Sequence, residues 1–161
     1  MPIPGFIADL RRQVGSDLLW LPGVTAAILE DSHVLMARRA DNGRWALISG
    51  ILEPGEEPAD CLVREAREEA GIDIEVQALA CVGVSPVVTY PNGDRAQYLD
   101  LTFLCRHIGG TPRVADDESL EVGWIPLDAL PHDMTGSSRE RLAAALDFQS
   151  NPALGTRFHR P

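Results

Sequence analysis

The chain contains no lysine, and all fourteen of its basic residues are arginine. Schiff-base chemistry through a lysine is excluded. Any permanent side-chain cation that meets a phosphate must be an arginine, a bidentate phosphate binder. Cysteine is scarce too. Cys61, Cys81 and Cys105 are odd in number and widely spaced. They fit neither a disulfide framework nor a zinc site, and their apolar surroundings predict buried free thiols. No apolar run reaches membrane-spanning length, so no membrane partner is expected. The first residues lack the basic, apolar and small-residue zones of a secretory signal, which predicts a cytoplasmic protein. Positive charge is also short, with 24 acids leaving a net charge of −10. That balance argues against a nucleic-acid duplex as partner, because duplex binding needs a basic surface to displace counterions. With 161 residues, 45% apolar and 24% charged, the chain can bury the core of one ordinary domain.

Half of the net charge lies between Gly50 and Ile72. This stretch holds seven carboxylates (Glu53, Glu56, Glu57, Asp60, Glu65, Glu68, Glu69) against two arginines, Arg64 and Arg67. So much like charge in one short segment is unfavourable unless something positive binds there. From Pro58 to Ala70 the segment reads as a helix, with proline in its first turn and Gly71 as its C-cap. On a helix, Glu68 and Glu69 are the i+3 and i+4 neighbours of Glu65, so three carboxylates share one face. A face of hard oxygen donors suits Mg²⁺ or Mn²⁺.

The rest of the chain alternates strand and turn signals. Residues 3–14 place Ile3, Phe6, Ile7, Leu10 and Val14 at helical spacing, and Leu18-Leu19-Trp20-Leu21 prolongs this apolar leader. Strands are expected over Leu21 to Leu29, His33 to Arg39 and Trp45 to Ile48. Others fall within Ile74 to Thr89, within Ala96 to His107 and over Val122 to Ile125. Asn92-Gly93 between two apolar runs signals a hairpin. A last helix is expected over Ser138 to Phe148, capped by Ser137 or Ser138, and a loosely held tail from Asn151. Strands around one internal and one late helix imply an α/β (α+β) fold, with a mixed sheet between helices.

The acidic segment also has a recognisable spacing. Gly50, Glu56, then Arg64-Glu65-Ala66, Glu68-Glu69 and Gly71-Ile72 occupy nine constrained positions within 23 residues. This pattern resembles the complete box of the Nudix hydrolases, and it is far more specific than a lone glycine motif. A weaker resemblance runs from about Leu21 to Leu130. One departure stands out: Ile48-Ser49-Gly50 replaces the usual Pro-Gly-Gly, so the backbone carbonyl ligand that the resemblance implies would belong to Ser49, a residue without glycine's conformational freedom.

The resemblance implies an α/β/α sandwich. It divides the chain into a helical leader over 1–20, a Nudix domain over 21–150 and a tail over 151–161. It implies an Mg²⁺- or Mn²⁺-dependent pyrophosphohydrolase that cuts the diphosphate bridge of a nucleoside diphosphate linked to X. X ranges over nucleotide sugars such as ADP-ribose, CDP-alcohols and nucleoside triphosphates. By resemblance, Glu65, Glu68 and Glu69 hold metal, helped by Glu56 and the Ser49 carbonyl. Arg64 lies four residues before Glu68 and can clamp a carboxylate. The general base stays open among Glu68, Glu69 and an acid of the loop Ala115-Asp116-Asp117-Glu118, with Glu118 the loop candidate. Substrate contacts are sought at Arg39, Arg44, Trp45 and Tyr90. The alternative is a catalytically silent Nudix-fold nucleotide sensor. Since such members typically lose box glutamates and none is lost here, the enzyme is the expectation. The exposed character of the leader stripe further predicts a homodimer.

Overall fold

The computed structural model describes residues 4–158. Ile3, the first residue of the leader stripe, lies outside them. In chain order the elements are α1 (Gly5–Val14), β1 (Leu19–Glu30), β2 (His33–Arg39), β3 (Trp45–Ala46) and β4 (Ile48–Ile51). They continue with α2 (Pro58–Ala70), β5 (Ile72–Val84), β6 (Val88–Thr89), β7 (Arg95–Gly110), β8 (Ser119–Pro126) and α3 (Gly136–Ser150). The eight strands form one mixed sheet. β1 runs parallel to β7, while every other pairing is antiparallel.

The sequence of β1 explains the layering. Val24, Ala26 and Ile28 share a core with Cys61, Leu62, Ala66 and Ala70 of α2. Ala27 and Leu29, on the other face, share a second core with Leu142 and Ala145 of α3. A strand covered on both faces reads as a nearly continuous apolar run, and this one does. The result is the expected α/β/α sandwich. Pro58 opens α2 where its missing N–H is harmless, and Gly71 closes it in the left-handed region at φ 67°.

Three local expectations change. α3 is capped by Thr135, whose hydroxyl accepts the N–H of Ser138, so neither Ser137 nor Ser138 is the cap. β1 begins at Leu19 rather than at Leu21, because Leu19 and Trp20 pair with Ala96 and Gln97 of β7. The expected loose tail is stitched to β5: Arg157 N–H donates to the Ala80 carbonyl at 2.8 Å, and Val82 N–H donates to the Arg157 carbonyl at 2.7 Å. β5 pairs on its other side with β7, and its outer backbone groups need partners that a side-chain pattern does not announce.

The leader folds back on its own domain. Ile7 is buried with Leu21 and Ala96, and Phe6 and Tyr98 pack against them. Leu10, Val14, Leu18 and Trp20 remain exposed. All three cysteines are free: Cys61 and Cys105 are buried, and Cys81 is half-buried. Among the described residues, no helix is long and apolar enough to cross a membrane.

Candidate active site

α2 presses its acidic face against the end of β4. Glu65 is fully buried, and its carboxylate lies where a side chain on Gly50 would stand. Gly50 pairs with Val24 of β1, and Ser49 with Thr25. Neither residue 49 nor residue 50 has a positive φ. The serine therefore suits its backbone, and glycine at 50 answers a demand for space rather than for angle.

Arg64 organises the surrounding acids. Its Nε and Nη2 donate to the two oxygens of Glu56 at 2.9 and 3.1 Å, a bidentate pair. Its Nη1 donates to Glu65 Oε1 at 2.9 Å and to Glu68 Oε2 at 3.1 Å. The Arg64 bond holds the Glu56 carboxyl below its ordinary range. One turn on, Glu69 is also buried, and its carbonyl accepts the Ala115 N–H at 3.3 Å, which brings the loop before β8 onto the helix.

The chemistry of this donor set fits a divalent cation. Glu65 Oε2 is buried and has no hydrogen-bond partner among the described residues, an expensive state for a carboxylate oxygen. Burial raises Glu65 to about 7 and Glu69 to about 8, the latter helped by the charges of Glu65 and Asp116. Among the described residues no three histidine, cysteine or acidic side chains already converge as a cation cage. The cluster is gathered around the Arg64 guanidinium instead.

These shifts set a pH dependence. Both carboxyls bind a proton more tightly folded than unfolded, where 4.5 is the ordinary value. Their stabilisation is therefore complete below that value and is lost as pH climbs through 7 to 8. His107, raised by Glu30 and the carbonyls of Gly109 and Gly110 against the opposing effect of burial, acts with the same sign. In EDTA the melting temperature should fall by several degrees between about pH 5 and about pH 8.5, given roughly 2–4 °C per kcal/mol. Millimolar Mg²⁺ should restore most of the loss at the alkaline end, since a ligand of the folded state alone stabilises it. A flat EDTA profile would mean that the two carboxyls are hydrated.

A family model described as NUDIX domain matches residues 20–146. The chain belongs to the Nudix hydrolase family. A MutT-like protein of Streptomyces ambofaciens is 38% identical over 120 residues, covering 74% of this chain and 72% of that protein. The 8-oxo-dGDP phosphatase NUDT18 of Mus musculus is 38% identical over 108 residues, covering 63% of this chain but only 31% of NUDT18. The Nudix chain thus spans about a third of that relative's length. Among solved structures, an ADP-ribose pyrophosphatase of Streptococcus suis superposes with a TM-score of 0.69 at 26% identity, over 86% of this chain and 98% of that one. A MutT Nudix hydrolase of Burkholderia pseudomallei gives 0.67 at 30% identity, over 78% and 98%.

Around the Nudix box, the other sequence candidates divide. Arg39 ends β2, and its guanidinium is held bidentately by Asp41 at 2.9 and 2.8 Å; its charge is felt by both Glu69 and Tyr90. Arg44 is engaged elsewhere, donating to the carbonyls of Asp133 and Met134 at 3.2 and 3.1 Å. Trp45 packs against the α3 core, and its carbonyl accepts the Thr135 N–H at 2.9 Å. Both residues brace the loop leading into α3. Glu118 is tied through its backbone, its carbonyl accepting Ala40 N–H at 2.7 Å and its N–H donating to Asp116 at 3.1 Å. Asp116 is the loop acid whose charge reaches Glu69, and Asp41 orients Arg39. Sequence alone distinguishes neither: Asp116 is one of three adjacent acids, and Asp41 reads as a turn residue.

Proposed function

We propose that this chain is a divalent-metal-dependent pyrophosphohydrolase, with Mg²⁺ or Mn²⁺ as cofactor, acting on a nucleoside diphosphate linked to X. The observation that carries the reading is the buried Glu65 carboxylate with one unpartnered oxygen, beside buried Glu69. Glu65 and Glu69 would hold the cation, with Glu56 and the Ser49 carbonyl as further donors. A cation held by these residues would supply charge to offset phosphate oxygens and would lower the pKa of water. Arg64 keeps Glu56, Glu65 and Glu68 aimed at one place and offsets their repulsion. Arg39, fixed by Asp41, supplies a permanent cation for a phosphate oxygen. Glu68 is the general base in this reading. It is exposed beside the buried pair and gives only one oxygen to Arg64, which leaves the other to accept a proton from the attacking water.

The names of the relatives point to ADP-ribose and oxidised purine nucleotides as first substrates to try. The test is a panel of nucleotide sugars, CDP-alcohols and nucleoside di- and triphosphates, with Mg²⁺ and with EDTA. Nucleoside monophosphate should appear with Mg²⁺ and not with EDTA; no release from any compound would overturn the reading. A homodimer belongs to the same proposal, resting on the exposed Leu10, Val14, Leu18 and Trp20 of the leader. Light scattering at micromolar concentration should give about 35 kDa, twice the 17.5 kDa chain; a 17.5 kDa species would refute it.

A further inference from the structure

Tyr98 stands on β7 opposite Leu21 of β1, in the cluster that joins Ile7, Leu21 and Ala96 to Ile51. Ile51 directly follows Gly50, the residue pressed against Glu65. A Cβ on Gly23 would lie 3.5 Å from the Tyr98 ring and 3.7 Å from the Gly50 carbonyl oxygen. That Cβ would also lie 3.6 Å from Asp100 Oδ1, so Gly23 marks a gap bordered by the Tyr98 ring, Asp100 and the backbone of β4.

The Tyr98 hydroxyl meets the Tyr90 hydroxyl at 2.6 Å. Tyr90 begins the turn between β6 and β7, which is closed by its N–H donating to the Asp94 carbonyl at 2.9 Å. Arg11 of α1 braces that turn from outside, donating to the Arg95 carbonyl at 2.6 Å and pairing with Asp94 at 3.6 Å. Tyr90 is thus an aromatic whose backbone and hydroxyl are both fixed while 40% of its surface stays exposed. Packing gives no reason to hold an exposed ring so firmly, whereas a stacking platform requires it. The charge of Arg39 bears on Glu69, Tyr90 and Tyr98 alike, so one permanent cation acts on both the acidic helix and the two phenols.

We propose that the Tyr90–Tyr98 pair is the subsite for the nucleoside end of the substrate, with the base stacked on Tyr90 and the paired hydroxyls hydrogen-bonding the nucleoside's polar groups. The inference rests on the reading of the chain as a nucleoside diphosphate hydrolase. Two phenols sharing one hydrogen bond retain one free O–H donor and spare acceptor lone pairs, a match for sugar hydroxyls or a base edge. Burial and the bond to Tyr90 keep the Tyr98 phenol protonated through neutral pH. A neutral pair of this kind offers phosphate no charge, which is left to Arg39 and the cation site.

Binding of AMP, GMP, CMP and UMP, with inorganic phosphate as control, measured by calorimetry in Mg²⁺ tests this without turnover. Tyr90→Ala should weaken the best-bound monophosphate by about tenfold or more, the range of base–aromatic stacking, and leave phosphate unchanged. Tyr90→Phe and Tyr98→Phe, which keep the rings, should each cost a few-fold at an unaltered melting temperature. KM for whichever substrate the panel identifies should rise in parallel. Equal losses for nucleotide and phosphate, or no loss for either, would overturn the subsite. If the wild type cleaves a nucleoside diphosphate compound and Tyr90→Ala keeps its KM, the subsite alone is wrong. If the wild type cleaves none of them, the functional reading falls and the subsite with it.

Discussion

Glu65→Gln and Glu69→Gln should each lower turnover by at least about a hundredfold at saturating Mg²⁺, a loss of roughly 3 kcal/mol of barrier stabilisation per residue. The amide conserves the volume of the carboxylate but removes the charge that a hard cation needs. What separates this outcome from simple unfolding is its stability signature. Glu65 is fully buried with one oxygen unpartnered, so in EDTA near neutral pH its charge burdens the fold. Among the described residues only Oε1 has a partner, and a neutral glutamine can still accept the Arg64 N–H that goes to it. Glu65→Gln should therefore melt no lower than wild type in EDTA and fail to gain the Mg²⁺ stabilisation. Steady-state turnover and thermal melts on the same preparations check both halves. Near-normal turnover in both variants would refute the cation-site assignment. A large drop in melting temperature for Glu65→Gln would mean that the carboxylate serves the fold.

Much of this site can be read from local pattern. Pro58, Gly71 and the i, i+3, i+4 carboxylates are properties of one continuous helix, and a helix fixes their relative positions whatever surrounds it. The Arg64–Glu68 contact follows from the same geometry. The Asn92-Gly93 turn is equally local: its glycine sits at φ 89°, which few other residues tolerate. Contacts that depend on a second element are a different matter. Arg64 makes its bidentate pair with Glu56, eight residues back across a loop, and no helical spacing indicates that. Arg44 and Trp45 beside the box read as substrate candidates, and their contacts with the loop before α3 show only once that loop is folded against them. Leu19 and Trp20 read as part of an amphipathic leader because their stripe is apolar. Only the parallel β7 partner makes them strand. Tyr98 resembles any other strand aromatic until the hairpin brings Tyr90 onto it. In each case the missing information is a non-local pairing, while side-chain periodicity reports only which face is buried.

Gly50 is where the local and non-local arguments meet, and Gly50→Ala should cost nearly as much activity as the loss of Glu65 itself, about a hundredfold. The residue has no positive φ, so alanine is acceptable to the backbone. Its difficulty is the Glu65 carboxylate and the end of that side chain, which occupy the space of the added methyl. A flexible exposed carboxylate would swing away at little cost. Glu65 is enclosed between α2 and β4, held through Oε1 by Arg64, and backed by the fully buried Leu62 and Ala66 of its own helix. Relief therefore requires either a displaced carboxylate or a helix pushed off the sheet. Overpacking of this kind typically costs about 1–3 kcal/mol, and the melting temperature should fall by several degrees in EDTA. Shortening the opposing side chain separates the two consequences. In Gly50→Ala with Glu65→Asp the deleted methylene makes room for the new one, so the double variant should melt above Gly50→Ala. Its turnover should stay low, because the carboxylate has been drawn back from the position that β4 and Arg64 define. If Gly50→Ala keeps wild-type turnover and melting temperature, Glu65 does not pack against β4 in solution. If the double variant melts no higher than the single, the clash lies elsewhere.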